Sequence, residues 1–128
     1  MAIQHSEMTQ PWWDAVAQHR LTRPVCNVCG RSFFSPSFAC PHCRATDWDY
    51  VESAGVGRVY SHTTVYRPPT PEFEAPYVLG IVDLVDEGWS MLTRVVGCDP
   101  EEVEIGMSVQ LAWGPVGTRT MPVFEPVA

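Results

Sequence analysis

Two C-x-x-C pairs, a later change of hydrophobic period and a capped turn between strands together predict a mainly β protein. Its expected parts are an N-terminal helix, a rubredoxin-like zinc ribbon and a C-terminal five-stranded OB-fold barrel. The cysteine pairs, Cys26/Cys29 and Cys40/Cys43, are separated by ten residues. After them apolar residues recur with period two, as half-buried strands require. The capped turn, "DPEEVEIG", falls between the third and fourth of five predicted strands, the helix position of an OB-fold. A chain of 128 residues suits one compact domain or two small modules on a shared core. The expected boundaries are a helical segment at 1–24, a ribbon at 25–53 and a barrel at 54–128.

The first element is read from "TQPWWDAVAQHRL". Thr9 can cap a helix, Pro11 suits its first turn, and Asp14 lies near its positive end. A helix of about three turns puts Trp12, Val16 and His19 on one side, with Trp13, Ala17 and Arg20 on the next. Neighbouring helical positions point ~100° apart, so one face does not easily bury both indoles. They pack on the chain's own core or dock on another chain. Trp12 and Trp13 are therefore the candidate partner-binding residues.

The ribbon follows from metal chemistry. A tetrahedral ion needs four ligands, and thiolates suit zinc. Gly30, directly after Cys29, allows the positive φ of a tight knuckle, and Pro41 restricts the second knuckle, "CPHC". The ten residues between, "GRSFFSPSFA", fit a short hairpin carrying Phe33 and Phe34. Cys26, Cys29, Cys40 and Cys43 close the coordination sphere, so the zinc is structural rather than catalytic. Paired disulfides would need an oxidising compartment, and a thioredoxin-like site needs one C-x-x-C beside a βαβ unit. Iron in a rubredoxin-like site has similar spacing and stays open. His42 could replace one cysteine, although a surface position within the knuckle suits it better. Cys98, after "TRVVG", reads as a small buried hydrophobe.

The strands come next. "WDYVES" is the return strand of the ribbon. "GRVYSHTTVY" alternates Val59, Ser61, Thr63 and Val65 against Arg58, Tyr60, His62, Thr64 and Tyr66. "YVLGIVDLV" and "WSMLTRVVG" flank "DEG", a hairpin bend at Gly88. Asp99, Pro100 and Glu102 form a capping-box pattern. "MSVQLAW" puts Met107, Val109, Leu111 and Trp113 on one face. The two prolines of "MPVFEPV" place a last strand at an edge. A proline-rich loop, Arg67 to Pro76, joins the first two barrel strands, where OB-folds frame their ligand face.

Charge narrows the function classes. The formal net charge is −7, and all eight basic residues are arginines. Nucleic-acid affinity rests on Lys and Arg neutralising phosphates, which disfavours the alternative of a single-strand-binding OB module. No run reaches the ~18 apolar residues of a membrane span, and the N-terminus lacks the regions of a signal peptide. The expected location is cytoplasmic, with no nucleic acid or membrane as partner. An iron electron carrier stays as a further alternative, separable from zinc by colour.

Helix, ribbon and barrel in this order resemble the acyl-CoA-associated zinc-ribbon/OB-fold proteins. The resemblance rests on "PWWDAVAQHRL", "PVCNVCG" with "ACPHC", "GVGRVYSHTTVYRP", "APYVLGIVDLVDEGWSMLTRVVG" and "EIGMSVQL", and covers nearly the whole chain. It implies a non-catalytic subunit that helps to hold an acyl-CoA thioester and stabilises a thiolase-fold enzyme. Such a partner is a lipid-transfer-protein-like aldolase that cleaves a steroid side chain, or a thiolase. Other members are fused to, or travel with, MaoC-like hydratases; this chain is expected to depart from the fused members, without a hydratase domain of its own. The metal ligands carry over to the four cysteines. The acyl-CoA candidates are Arg58, Tyr60 and His62, expected on one strand face, and Arg67 at the head of the long loop. An arginine there would pair with CoA phosphates.

Overall fold

A computed structural model describes residues 6–71, 74–116 and 119–127. The first element, α1, spans Gln10–Ala17, two turns rather than the expected three. His19 takes a φ of +56°, and the Arg20 N–H turns back to the Ala15 carbonyl at 2.9 Å. A left-handed residue just past the last turn ends a helix in this way. His19 therefore leaves the row it was expected to share with Trp12 and Val16. Thr9 precedes the helix, but its hydroxyl is engaged with Ser6 and caps no helical N–H. Asp14 lies one turn in, accepting from Gln10 Nε2 at 2.8 Å.

The ribbon is a two-stranded antiparallel sheet of β1, Thr22–Cys26, and β2, Trp48–Glu52. The segment between the knuckles does not form the expected hairpin. One isolated bridge, Val25 to Ser32, ties it to β1, and the rest is turns and irregular backbone. Phe33 explains this: it is buried against Cys26 and Cys40, so the loop folds inward around its own ring.

Five strands close the barrel in the order β3–β4–β5–β7–β6. They are β3 (Val56–Val65), β4 (Tyr77–Leu84), β5 (Trp89–Val95), β6 (Ser108–Val116) and β7 (Arg119–Pro126). A 3₁₀ turn, Pro100–Glu102, stands between β5 and β6, and the Asp99 N–H donates to Glu102 Oε1 at 3.2 Å. Val59, Val82, Leu84, Val109, Val123 and Phe124 are fully buried. Such side chains contribute about 1.5–3 kcal/mol each when taken out of water.

Two strand expectations change. The alternation along β3 breaks at a bulge: Val59 faces Val82, but Ser61, not Tyr60, faces Ile81. The extra residue reverses the pleat, since side-chain direction has period two. Arg58 pairs in register with Asp83, whereas His62 pairs with Gly80 on the opposite face. Arg58, Tyr60 and His62 thus do not share one face. The last strand is not at an edge either. β7 runs antiparallel to β6 along its length and meets β5 at Val95–Phe124. Barrel closure supplies that second neighbour. The prolines are tolerated because this seam is short and centred on Phe124, between Pro122 and Pro126.

Glu87, in the β4–β5 turn, joins the modules. Its carboxylate accepts from the Ser53 hydroxyl at 2.6 Å, Trp89 Nε1 at 2.8 Å and the Ala54 N–H at 2.8 Å. Arg23 of β1 lies 3.9 Å away. Among the described residues, no helix is long and apolar enough to cross a membrane.

Candidate functional site

The four ribbon sulfurs lie within 4.8 Å of one another. Cys26 and Cys43 are 3.6 Å apart, Cys29 and Cys40 3.8 Å. A tetrahedron with Zn–S bonds of ~2.3 Å has edges of ~3.8 Å, so the donor set fits a single closed zinc site. The knuckle backbones serve the sulfurs. The Val28 and Cys29 N–H groups point at Cys26 Sγ from 3.4 and 3.5 Å, and the His42 N–H points at Cys40 Sγ from 3.4 Å. The Cys29 N–H does most to pull the Cys26 thiol down to about 7, against the effect of burial. That favours the thiolate at Cys26, whereas at Cys43, despite the Ala45 N–H, burial and the neighbouring cysteine side chains push the thiol the other way, up to about 11.

Each knuckle turns through a left-handed residue. Gly30 has φ +76°, as expected, and Arg44 has φ +66° in the second. Their N–H groups return to the Cys26 and Cys40 carbonyls at 2.9 and 2.7 Å. His42 is exposed, with its ring 3.2 Å from the Ser32 carbonyl, and is not one of the ligands. Cys98 is half-buried beside the core. Burial, then the charges of Glu102 and Asp99, push its thiol up, which disfavours the thiolate.

A second feature lies where helix, ribbon and barrel meet. A cavity of about 250 Å³ is lined by Trp12 of α1, Phe34 of the ribbon loop, and barrel residues including Tyr77, Leu79, Met91 and Arg94. Phe34 stands 6.0 Å from the Trp12 ring and 5.2 Å from Trp89. The Arg94 guanidinium sits 4.1 Å over the Tyr77 ring. Both strands belong to the face that OB-folds use for ligands. Sequence reasoning missed this site. Its one visible signal was Arg94, a lone cation in the apolar strand "WSMLTRVV".

The two tryptophans separate. Trp12 is 7% exposed, and its Nε1 donates to the Thr22 carbonyl at 3.0 Å. Trp13 is half-buried, edge-on to Trp12 at 4.8 Å, and lines an adjoining groove of about 440 Å³ with Asp14, His19 and Arg119. Arg119 lies 5.5 Å from the Trp13 ring centre, and His19 stacks on Trp113 at 4.8 Å. Arg58, Tyr60, His62 and Arg67 are all exposed, and none lines the junction cavity. Glu72 and Phe73 of the proline-rich loop lie outside the described residues.

Comparison with known proteins covers almost the whole chain. Residues 13–49 match the ChsH2 rubredoxin-like zinc ribbon domain, and residues 50–114 match the ChsH2 C-terminal OB-fold domain. A solved chain titled "Ltp2-ChsH2(DUF35) aldolase" superposes with a TM-score of 0.88. It is 39% identical and covers 99% of this chain and 100% of its own. A DUF35 domain-containing scaffold protein of Methanothermobacter thermautotrophicus is 34% identical, over 84% of this chain and 82% of its own length. A probable enoyl-CoA hydratase alpha subunit of Thermomonospora curvata is 44% identical over 90% of this chain. This chain spans about a third of that hydratase subunit's length, 36%.

Proposed function

The chain belongs to the ChsH2 (DUF35) family of zinc-ribbon and OB-fold proteins, and from that premise we propose that it is a non-catalytic accessory subunit that helps to hold an acyl-CoA thioester and stabilises a thiolase-fold enzyme. The observation that carries this reading is the end-to-end likeness to the chain from the Ltp2-ChsH2 aldolase, with neither chain having a large unmatched part. Relatives named as scaffold proteins support the non-catalytic role. The proposed partner is a lipid-transfer-protein-like aldolase acting on a steroid side-chain CoA thioester, or a thiolase. A MaoC-like hydratase is a further partner consistent with relatives named as hydratase alpha subunits.

The chemistry suits holding rather than bond-breaking. The metal site is closed by four protein thiolates, so zinc would fix the ribbon and leave no position for substrate. Within this reading, Trp13 and its groove face the enzyme. Trp12 acts from beneath by seating the helix on the barrel. Arg58, Tyr60, His62 and Arg67 remain the proposed contacts to CoA. The bulge divides them, so Arg58 and His62 would meet different parts of the ligand. The protein would work in the cytoplasm, beside other CoA-dependent enzymes.

The test is untagged co-purification from the native host, followed by assay of the separated and recombined subunits. The expected result is a thiolase-fold enzyme in the complex, active on an acyl-CoA only when the two are joined. Turnover by the isolated chain, lost on mutating one of its own residues, would sink this assignment.

A further inference from the structure

The β5–β7 seam of the barrel is short. Among the described residues β7 pairs with β5 only at Val95–Phe124, so the edge of β5 around Met91 to Thr93 meets a gap instead of a strand. The junction cavity of about 250 Å³ lies along that gap. It wraps the strand edge and is therefore lined from both faces of β5: Met91 and Thr93 are buried, whereas Leu92 is 63% exposed. Leu79, Met121, Trp12 and Phe34 extend the apolar wall. The Thr93 hydroxyl donates to the Pro122 carbonyl at 3.0 Å, within the wall itself.

The two ends of the cavity differ. Leu79 pairs in register with Arg94, and the Arg94 guanidinium stands 4.1 Å over the Tyr77 ring. A guanidinium stacked by its flat face directs its N–H donors sideways, which makes this the polar end. Val65 is the in-register partner of Tyr77, and Arg67 follows two residues later, so the head of the proline-rich loop belongs to the same end. At the other end Phe34 stands 5.2 Å from Trp89, the first residue of β5, with Trp12 behind it. Arg94 to Met91 is roughly 10 Å along the strand. A dry cavity of about 150 Å³ takes a benzene ring, so this one takes roughly ten carbons. A nucleotide or a sugar would leave its polar groups unpaired against the wall. A plain hydrocarbon would make no use of the Arg94 end. An acyl thioester suits both ends, with a carbonyl acceptor for the cation and an apolar tail for the wall.

We infer that the junction cavity is the acyl subsite for a medium-length acyl-CoA, with the thioester carbonyl at Arg94 and the tail running along β5 to Phe34 and Trp12. The inference rests on the acyl-CoA reading and adds to it a place, a direction and a size. A chain or single ring of up to about ten carbons enters, and a fused steroid nucleus stays outside. The test is calorimetric titration of CoA, acetyl-CoA, octanoyl-CoA and free octanoate into the zinc-loaded full chain. Each buried methylene is worth about fourfold, so octanoyl-CoA is expected to bind at least about a hundredfold tighter than acetyl-CoA. Leu92→Glu puts a carboxylate into the wall at an exposed position and should remove most of that gain. Ile105→Glu makes the same charge change at an exposed apolar position outside the cavity, and should keep every affinity within about twofold of wild type. Octanoyl-CoA with bromine at the chain end should quench tryptophan fluorescence more than one with bromine midway, because the tail ends at Trp12. A stronger quench from the midway bromine would overturn the direction. Equal affinity for acetyl-CoA and octanoyl-CoA, or equal losses in Leu92→Glu and Ile105→Glu, would overturn the subsite and leave CoA binding standing. Octanoate binding that responds to Leu92→Glu, with CoA adding nothing, would support the cavity and sink the CoA reading. No binding of any of these ligands would overturn both.

Discussion

Cys40 has no exposed surface, sits against Phe33, and receives the His42 N–H on its sulfur. Changing it to serine removes a thiolate and leaves three ligands in a site built for four. Cys40→Ser is expected to drop zinc well below about one per chain and to lower the melting temperature, read by metal analysis and calorimetry. Acid should do the same to the wild type, because protons compete with the metal for thiolates; zinc release to a chromophoric chelator follows it. Finding iron, with its visible absorption, would instead favour the electron-carrier alternative. Trp12 and Trp13 separate packing from docking. Trp12→Ala removes a buried indole that bridges helix, ribbon and barrel, and is expected to cost about 3–5 kcal/mol of stability. Trp13→Ala should leave the fold nearly intact. It should weaken association with the proposed enzyme partner by about 30-fold, the equivalent of ~2 kcal/mol at a hot spot. Denaturant melts and binding isotherms on both variants decide it. Unchanged binding by folded Trp13→Ala would move the joint elsewhere, with the loop from Arg67 the next candidate.

At the scale of elements, the turn between β4 and β5 does more than reverse the chain. Burial works against the charge of Glu87, but hydrogen bonds from Ser53, Trp89 and the Ala54 N–H, with Arg23 nearby, outweigh it and hold its carboxyl below the usual range. A depressed carboxylate adds stability that is present above its unfolded value of ~4.3 and is lost as pH falls through the lower folded value. Glu87→Ala leaves three donors without this acceptor and is expected to cost about 1–3 kcal/mol at neutral pH. The gap between wild type and variant should narrow in acid, measured by urea melts from pH 7 down to about 3. A constant gap would mean that the charge of Glu87 contributes nothing. The sequence announced this element as a hairpin bend at Gly88, whose φ is +76°. It did not announce the clasp, because Ser53 and Ala54 are 34 and 33 residues away.

For the whole molecule, one buried cluster ties α1, the ribbon and the barrel together. Trp12, Leu21, Val59 and Phe124 belong to one buried cluster, with Phe34 and Tyr50 packed against it. A chain of this size has little spare core, so loss of the ribbon's metal should loosen the seat of the helix as well as the knuckles. Stripping zinc with a chelator is therefore expected to abolish binding to the proposed enzyme partner before the barrel unfolds. Far-UV dichroism and pull-down on the same sample test this order. If the metal-free chain binds the partner with unchanged affinity, the ribbon and helix lie outside the joint.

What the sequence determined by itself is local. The spacing of Cys26, Cys29, Cys40 and Cys43 specified the metal centre, because a knuckle is built from adjacent backbone N–H groups and one left-handed residue. Period-two patterning specified most of the barrel strands, and Asp99 with Glu102 marked the turn between β5 and β6. Only the tertiary structure decided which way side chains face after Tyr60, since a bulge depends on the register of the partner strand β4. Barrel closure made β7 an interior strand despite its prolines. The junction cavity needs Trp12, Phe34 and Arg94 together, three residues from separate segments with no common local pattern. Ligand spacing and hydrogen-bonded turns are written in neighbouring residues. Faces, closure and cavities arise from contacts between residues far apart in the chain, whose energies no short stretch of sequence displays.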